Sequence, residues 1–92
     1  MPDWHPFEVK IINMKIYDFN GKKNICGARV REARRKIGLS QQELAARLQV
    51  SGVNIERDSV SRIEIGTRFV ADYELVALCE ILAVSPWELL GI

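Results

Sequence analysis

The chemistry this sequence offers is first of all a matter of charge. Between Lys22 and Lys36, the cations Lys22, Lys23, Arg29, Arg31, Arg34, Arg35 and Lys36 stand against Glu32 alone, a local charge of +6 in a chain whose net charge is +1. Between Asp72 and Ile92 the charged residues are Asp72, Glu74, Glu80 and Glu88, a local −4. The middle, Ser40 to Arg68, balances four arginines against four acids. A cationic end of this density either attracts a polyanion or is a solvated helix face; the acidic end does not suit a polyanion. Other chemistries lack their residues. Cys26 and Cys79 lie far apart without a Cys-x-x-Cys pair, and His5 is the only histidine. A structural zinc site takes about four such ligands at close spacing, so no metal is expected, and no cofactor. The two cysteines read as reduced core residues rather than a disulfide. No glycine loop cradles a phosphate, and Ser40 and Ser85 are accounted for as helix caps, so an enzyme is not expected.

These groups must be positioned by one small domain, because 92 residues suffice for one hydrophobic core. With 48 % hydrophobic and 27 % charged residues the composition is that of a folded chain, not a disordered one. Apolar runs fall short of a membrane span, and Met1 to Phe7 does not resemble a secretory signal; the expected location is the cytoplasm, with no membrane partner. Residues 1–23 read as an extension. Phe7, Val9 and Ile11 alternate with polar residues, the phase slips, and Ile12, Met14 and Ile16 alternate again, which is the pattern of a strand with a bulge. Asn20-Gly21 is a turn signal that closes it.

Residues 24–92 have the period of helices. Asn24 is a candidate N-cap, with Ile25, Val30, Ala33 and Ile37 lining a first helix that ends at Gly38. Ser40-Gln41-Gln42-Glu43 is a capping box opening a second helix with Leu44, Ala45 and Leu48 inward. A third runs from about 57 to 65 with Val60 and Ile63 inward and Gly66 at its end. Asp72 is the expected cap of a fourth, carrying Leu75, Val76, Leu78, Cys79 and Leu82. Ser85-Pro86-Trp87-Glu88 opens a fifth with a cap, a proline at the first helical position and a glutamate at the third. The expected fold class is all-α.

Leu39-Ser40-Gln41-Gln42-Glu43-Leu44-Ala45, then Ser59-Val60-Ser61-Arg62-Ile63-Glu64-Ile65-Gly66, and then Val84-Ser85-Pro86-Trp87-Glu88-Leu89-Leu90 resemble, in order, the phage-repressor (Cro/Xre-like) helix-turn-helix family. Arg29-Val30-Arg31 and Arg34 also match its first helix. The resemblance implies a five-helix DNA-binding domain that reads the major groove with the third helix, and Arg57, Asp58, Ser61 and Arg62 on its outward face as base readers. It implies phosphate contacts from Gln41 and Gln42 at the second helix N-terminus, with Gln41 also bracing the third helix, and from Thr67 and Arg68 after the third. It also pairs Arg34 with Glu64 as a structural ion pair; the rival reading makes Arg34 a phosphate ligand. The sequence departs from the family at Leu48-Gln49-Val50-Ser51-Gly52-Val53-Asn54-Ile55, a turn about five residues longer than usual. Ile55 then takes the slot of the usual turn valine. Glu56 replaces the serine cap of the third helix, leaving Asn54 or Asp58 as other candidate caps.

The function so implied is a sequence-specific, DNA-binding transcriptional regulator, a repressor, acting on double-stranded DNA as a homodimer, with no small-molecule ligand evident. The segment Phe7–Tyr17 and the apolar end formed by Trp87, Leu90 and Ile92 are its candidate dimer surfaces. An alternative is a protein-interaction module on the same fold, an antitoxin-like partner, which the low net charge and the acids Glu56 and Asp58 keep open.

Overall fold

The computed structural model describes residues 19–92. The strand expected over 7–17 lies outside them, as does any part it plays in a dimer. Five helices follow one another: α1 (Gly27–Lys36), α2 (Gln41–Val50), α3 (Arg57–Ile65), α4 (Asp72–Leu82) and α5 (Pro86–Leu90). The α1 helix packs on α3, α4 and α5, while α2 packs on α3 and α4. Where these layers meet, Val30, Leu44, Leu48, Ile55, Val60, Ile63, Leu78, Leu82 and Leu89 are each buried almost completely. Each such side chain contributes about 1.5–3 kcal/mol through removal from water.

Ahead of α1, Phe19 and Lys22 exchange backbone hydrogen bonds of 2.6 and 2.9 Å around Asn20-Gly21. Both turn residues have positive φ, 51° and 78°, the geometry in which an Asn-Gly pair reverses a chain most readily. The start of α1 differs from expectation. Cys26, not Asn24, is the flanking residue of the helix, though the Asn24 side-chain oxygen accepts a hydrogen bond from Gly27 N at 2.8 Å. The phase set by this later start turns Cys26, Val30, Ala33 and Arg34 inward, and leaves Ile25 and Ile37 half exposed.

The long turn after α2 closes compactly. Gly52 N bonds to Gln49 O at 3.0 Å and Val53 N to Leu48 O at 2.9 Å, with Gly52 at φ 93°. This is the two-bond helix stop that a left-handed glycine permits. The extra residues then swing Val53 and Ile55 back into the core, with Ile55 only 1 % exposed, while Val50 points out. Neither Asn54 nor Asp58 caps α3: Glu56 occupies that position and makes no side-chain cap bond. At α4 the cap position belongs to Ala71, one residue ahead of the expected Asp72. Alanine has no acceptor, so only the return half of a capping box exists there, with Ala71 N donating to Glu74 Oε1 at 2.9 Å. The α5 box is complete: Glu88 N donates to Ser85 Oγ at 3.1 Å and Ser85 N to Glu88 Oε1 at 3.2 Å. Of the apolar residues expected at this end, Trp87 and Ile92 are exposed and Leu90 lies partly against the core. Cys26 and Cys79 are free thiols in the interior, where burial pushes the pKa of both up. No helix among the described residues is long and apolar enough to cross a membrane.

Candidate nucleic-acid interface

The α3 helix presents one face to the core through Val60 and Ile63, and the opposite face to solvent. Arg57, Asp58 and Arg62 are exposed on that face, with Ser61 half-buried beside them. Arg57 Nη2 and Asp58 Oδ1 form an ion pair of 3.0 Å, more than half exposed at both ends, so it adds little to stability. An open groove runs between α2 and α3, lined by Gln42, Ala46 and Gln49 on one wall and by Glu56, Arg57, Asp58 and Arg62 on the other. Sequence reasoning missed Gln49, whose Nε2 donates to Ile55 O at 3.0 Å and so ties α2 to the start of α3.

At the N-terminus of α2, Glu43 N donates to Ser40 Oγ at 3.0 Å and Ser40 N to Glu43 Oε1 at 2.8 Å. A helix start leaves four backbone N–H groups without intrahelical partners, and the box satisfies two. The Gln41 and Gln42 N–H groups remain, at the positive end of the helix dipole and open to solvent; this is the arrangement that holds an anion. The hydrogen bond from the Ser40 backbone, followed by that from its hydroxyl, holds the Glu43 carboxyl below its usual range.

What fixes α3 against α1 and α2 is a buried polar cluster. Arg34 Nε donates to Glu64 Oε2 at 2.6 Å and Arg34 Nη2 to Glu64 Oε1 at 3.0 Å, a two-pronged pair. Arg34 Nη1 donates to Leu39 O at 2.7 Å, and Gln41 Nε2 donates to Glu64 Oε1 at 3.0 Å. The side chains of Arg34 and Glu64 are 9 % and 1 % exposed. The hydrogen bond to Glu64 raises the Arg34 pKa, outweighing the opposing effect of burial. Arg34 is therefore turned away from solvent, and one amide hydrogen of Gln41 is occupied in bracing α3.

Beyond α3, Thr67 is exposed and its hydroxyl lies 3.4 Å from Arg62 O. Arg68 is differently placed: its Nη1 and Nη2 donate to Glu74 Oε1 and Oε2 at 2.9 and 3.1 Å, and Nη1 also donates to Phe69 O. Its guanidinium already holds a carboxylate and pins the α3–α4 connection to α4. Burial pushes the Glu74 carboxyl up, but the hydrogen bonds from Arg68 and Ala71 N outweigh it and leave the pKa lowered.

A second clasp, which sequence reasoning did not find, grips the far end of α3. Lys22 Nζ donates to Ile65 O at 3.1 Å, Lys23 N to Gly66 O at 2.7 Å, and Asn24 Nδ2 to both Ile63 O at 3.0 Å and Arg68 O at 2.8 Å. The segment before α1 thus satisfies the last carbonyls of α3. Close approach requires Gly27: a Cβ there would collide with the Ile63 carbonyl oxygen. A glycine in the first turn of an otherwise ordinary helix was the available signal. Lys23 Nζ also sits 5.2 Å over the Phe69 ring, whereas Arg35 and Lys36 are exposed on α1. Among the described residues, no group of three or more His, Cys, Asp or Glu side chains is placed to hold a metal ion.

Two helices joined by a turn, the second with an outward polar face and the first with an open N-terminus, define the helix-turn-helix class. Residues 26–90 match the helix-turn-helix domain family, and the chain belongs to that family. The restriction-modification controller protein C.AhdI from Aeromonas hydrophila is 38 % identical over 68 % of this chain and 84 % of its own, with a TM-score of 0.59. The clp gene regulator ClgR from C. glutamicum is 25 % identical over 74 % of this chain and 82 % of its own, at TM-score 0.64. The P22 c2 repressor, solved with a synthetic operator, is 28 % identical over 73 % and 94 %, at TM-score 0.61. No curated protein matches the sequence.

Proposed function

We propose that this chain is a sequence-specific DNA-binding transcriptional regulator, a repressor, that places α3 in the major groove of a two-fold operator as a homodimer. One observation carries the reading: the hydrogen-bonding face of α3 and the open N-terminus of α2 are locked into one rigid unit by the Arg34–Glu64–Gln41 cluster. Such a unit supplies both things a reading module needs, a phosphate anchor that sets register and a row of side chains that meets base edges. Arg57 and Arg62 suit guanine O6 and N7, Asp58 suits the cytosine amino group, and Ser61 suits several bases. The free N–H groups of Gln41 and Gln42, with the second amide hydrogen of Gln41 and the exposed Thr67 hydroxyl, are the phosphate anchors. Arg68 reaches a phosphate only with the part of its guanidinium that Glu74 leaves free. The resemblance to a repressor solved with an operator and to a gene regulator supports the same reading.

Selection of bound duplex from a random pool tests it directly. A recurring motif with two half-sites about 10 base pairs apart is the expected result, and sedimentation of the full chain should give a dimer mass. A pool that enriches nothing at low salt removes the regulator reading and leaves the fold as a protein-interaction module.

A further inference from the structure

We infer that Glu56 and Asp58 are specificity determinants that act by rejection, weakening binding to duplex that lacks a cytosine or adenine amino group opposite their carboxylates. The inference rests on the DNA-reading role assigned to α3 above. The groove between α2 and α3 collects Glu56, Arg57, Asp58 and Arg62 on one wall. Two guanidinium groups there face two carboxylates, so the reading face carries no net charge, although the stretch from Lys22 to Lys36 is strongly cationic. Non-specific attraction to phosphate comes from uncompensated cations, and this face has none to spare.

Folding accounts for one of the two acids and leaves Glu56 unexplained. Asp58 lies in the first turn of α3, where a negative charge suits the helix dipole. Glu56 stands at the cap position without making a cap bond, so it forgoes the stabilisation that Ser, Thr, Asp or Asn supplies there. Its carboxylate is exposed and has no partner among the described residues. A carboxylate only accepts hydrogen bonds. In the major groove guanine N7 and O6, adenine N7 and thymine O4 are acceptors too, and only cytosine N4 and adenine N6 donate. Sequence without an amino group at the right place therefore meets repulsion instead of a bond. The ion pair between Arg57 and Asp58 couples two readings.

The test uses the full chain with Glu56→Gln, Asp58→Asn and the double variant. Affinity is measured for the selected site and for random-sequence duplex at two salt concentrations, with thermal unfolding in parallel. Removing each charge should raise affinity for random duplex by about fivefold, the value of one exposed charge contact in water. Affinity for the selected site should stay level or fall, so the ratio of the two contracts, while Glu56→Asp, which keeps the charge, retains it. Equal changes on both duplexes, or a lower unfolding temperature with an unchanged ratio, would identify the acids as helix-end stabilisers and overturn the inference alone. A wild-type chain that selects no sequence removes the DNA-reading role and this inference with it.

Discussion

Removing one side of the Arg34–Glu64 pair should damage the fold more than removing both. Glu64 is 1 % exposed, and its two oxygens accept three hydrogen bonds, two from Arg34 and one from Gln41. In Arg34→Ala the carboxylate stays in the interior with the Gln41 amide as its only remaining partner of the three. In Glu64→Ala the guanidinium keeps only Leu39 O. Uncompensated buried charge costs about 3–5 kcal/mol, against a total stability of about 5–15 kcal/mol for a domain of ordinary stability. Either single variant should therefore lose about a fifth or more of the folding free energy. At about 4–8 °C per kcal/mol for a domain this size, the melting temperature should fall by well over 10 °C. The Coulombic gain in the native pair is largely spent on desolvation. The double variant Arg34→Met/Glu64→Leu, which buries apolar groups of similar bulk, should consequently be more stable than either single. A double-mutant cycle by urea unfolding measures the coupling. Additive losses would show that the contact carries no energy and that α3 is held by its apolar face alone.

Other outcomes follow from the same geometry. Arg57→Ala and Arg62→Ala should each weaken binding to the selected site by about 1–3 kcal/mol and relax base preference at one position, while leaving the melting curve unchanged. Gly27→Ala should destabilise by about 1–3 kcal/mol, because the added methyl group must displace the Ile63 carbonyl; a neutral result in urea unfolding would mean that α1 can slide away from α3 at no cost. The Glu74 carboxyl has its pKa lowered on folding, so its contribution is present at neutral pH and is lost as pH falls through the folded value, below the unfolded value of about 4.3. Wild-type protein should lose stability over that acid range more steeply than Glu74→Gln, and parallel curves would assign the acid sensitivity elsewhere.

Local signals in the chain were enough to place most of its helices. The boxes Ser40/Glu43 and Ser85/Glu88 are contained in four consecutive residues each, so their hydrogen bonds could be read from spacing. The inward positions of Val60, Ile63, Leu44 and Leu48 follow from helical period. The same logic failed at the ends of α1, where Ile25 and Ile37 proved half exposed. There the helix phase is decided by which residue starts the turn, and Asn24, which meets Gly27 N locally, is itself tied through its amide to Ile63 O and Arg68 O across the fold. At α4 the cap position falls to Ala71 in place of Asp72, and the Glu74 carboxylate that meets Ala71 N is also held by Arg68. Motif order pointed to Arg34 and Glu64 as a pair and to Gln41 as a brace of the reading helix, but no spacing reveals that the Gln41 amide does this by joining that pair, or that Arg68 is held by Glu74. The clasp of Lys22, Lys23 and Asn24 on the last carbonyls of α3 spans about forty residues of chain. Hydrogen bonds of that kind join groups whose proximity exists only after the core has closed, so the sequence determined the helices and the tertiary structure alone decided how firmly the reading helix is held.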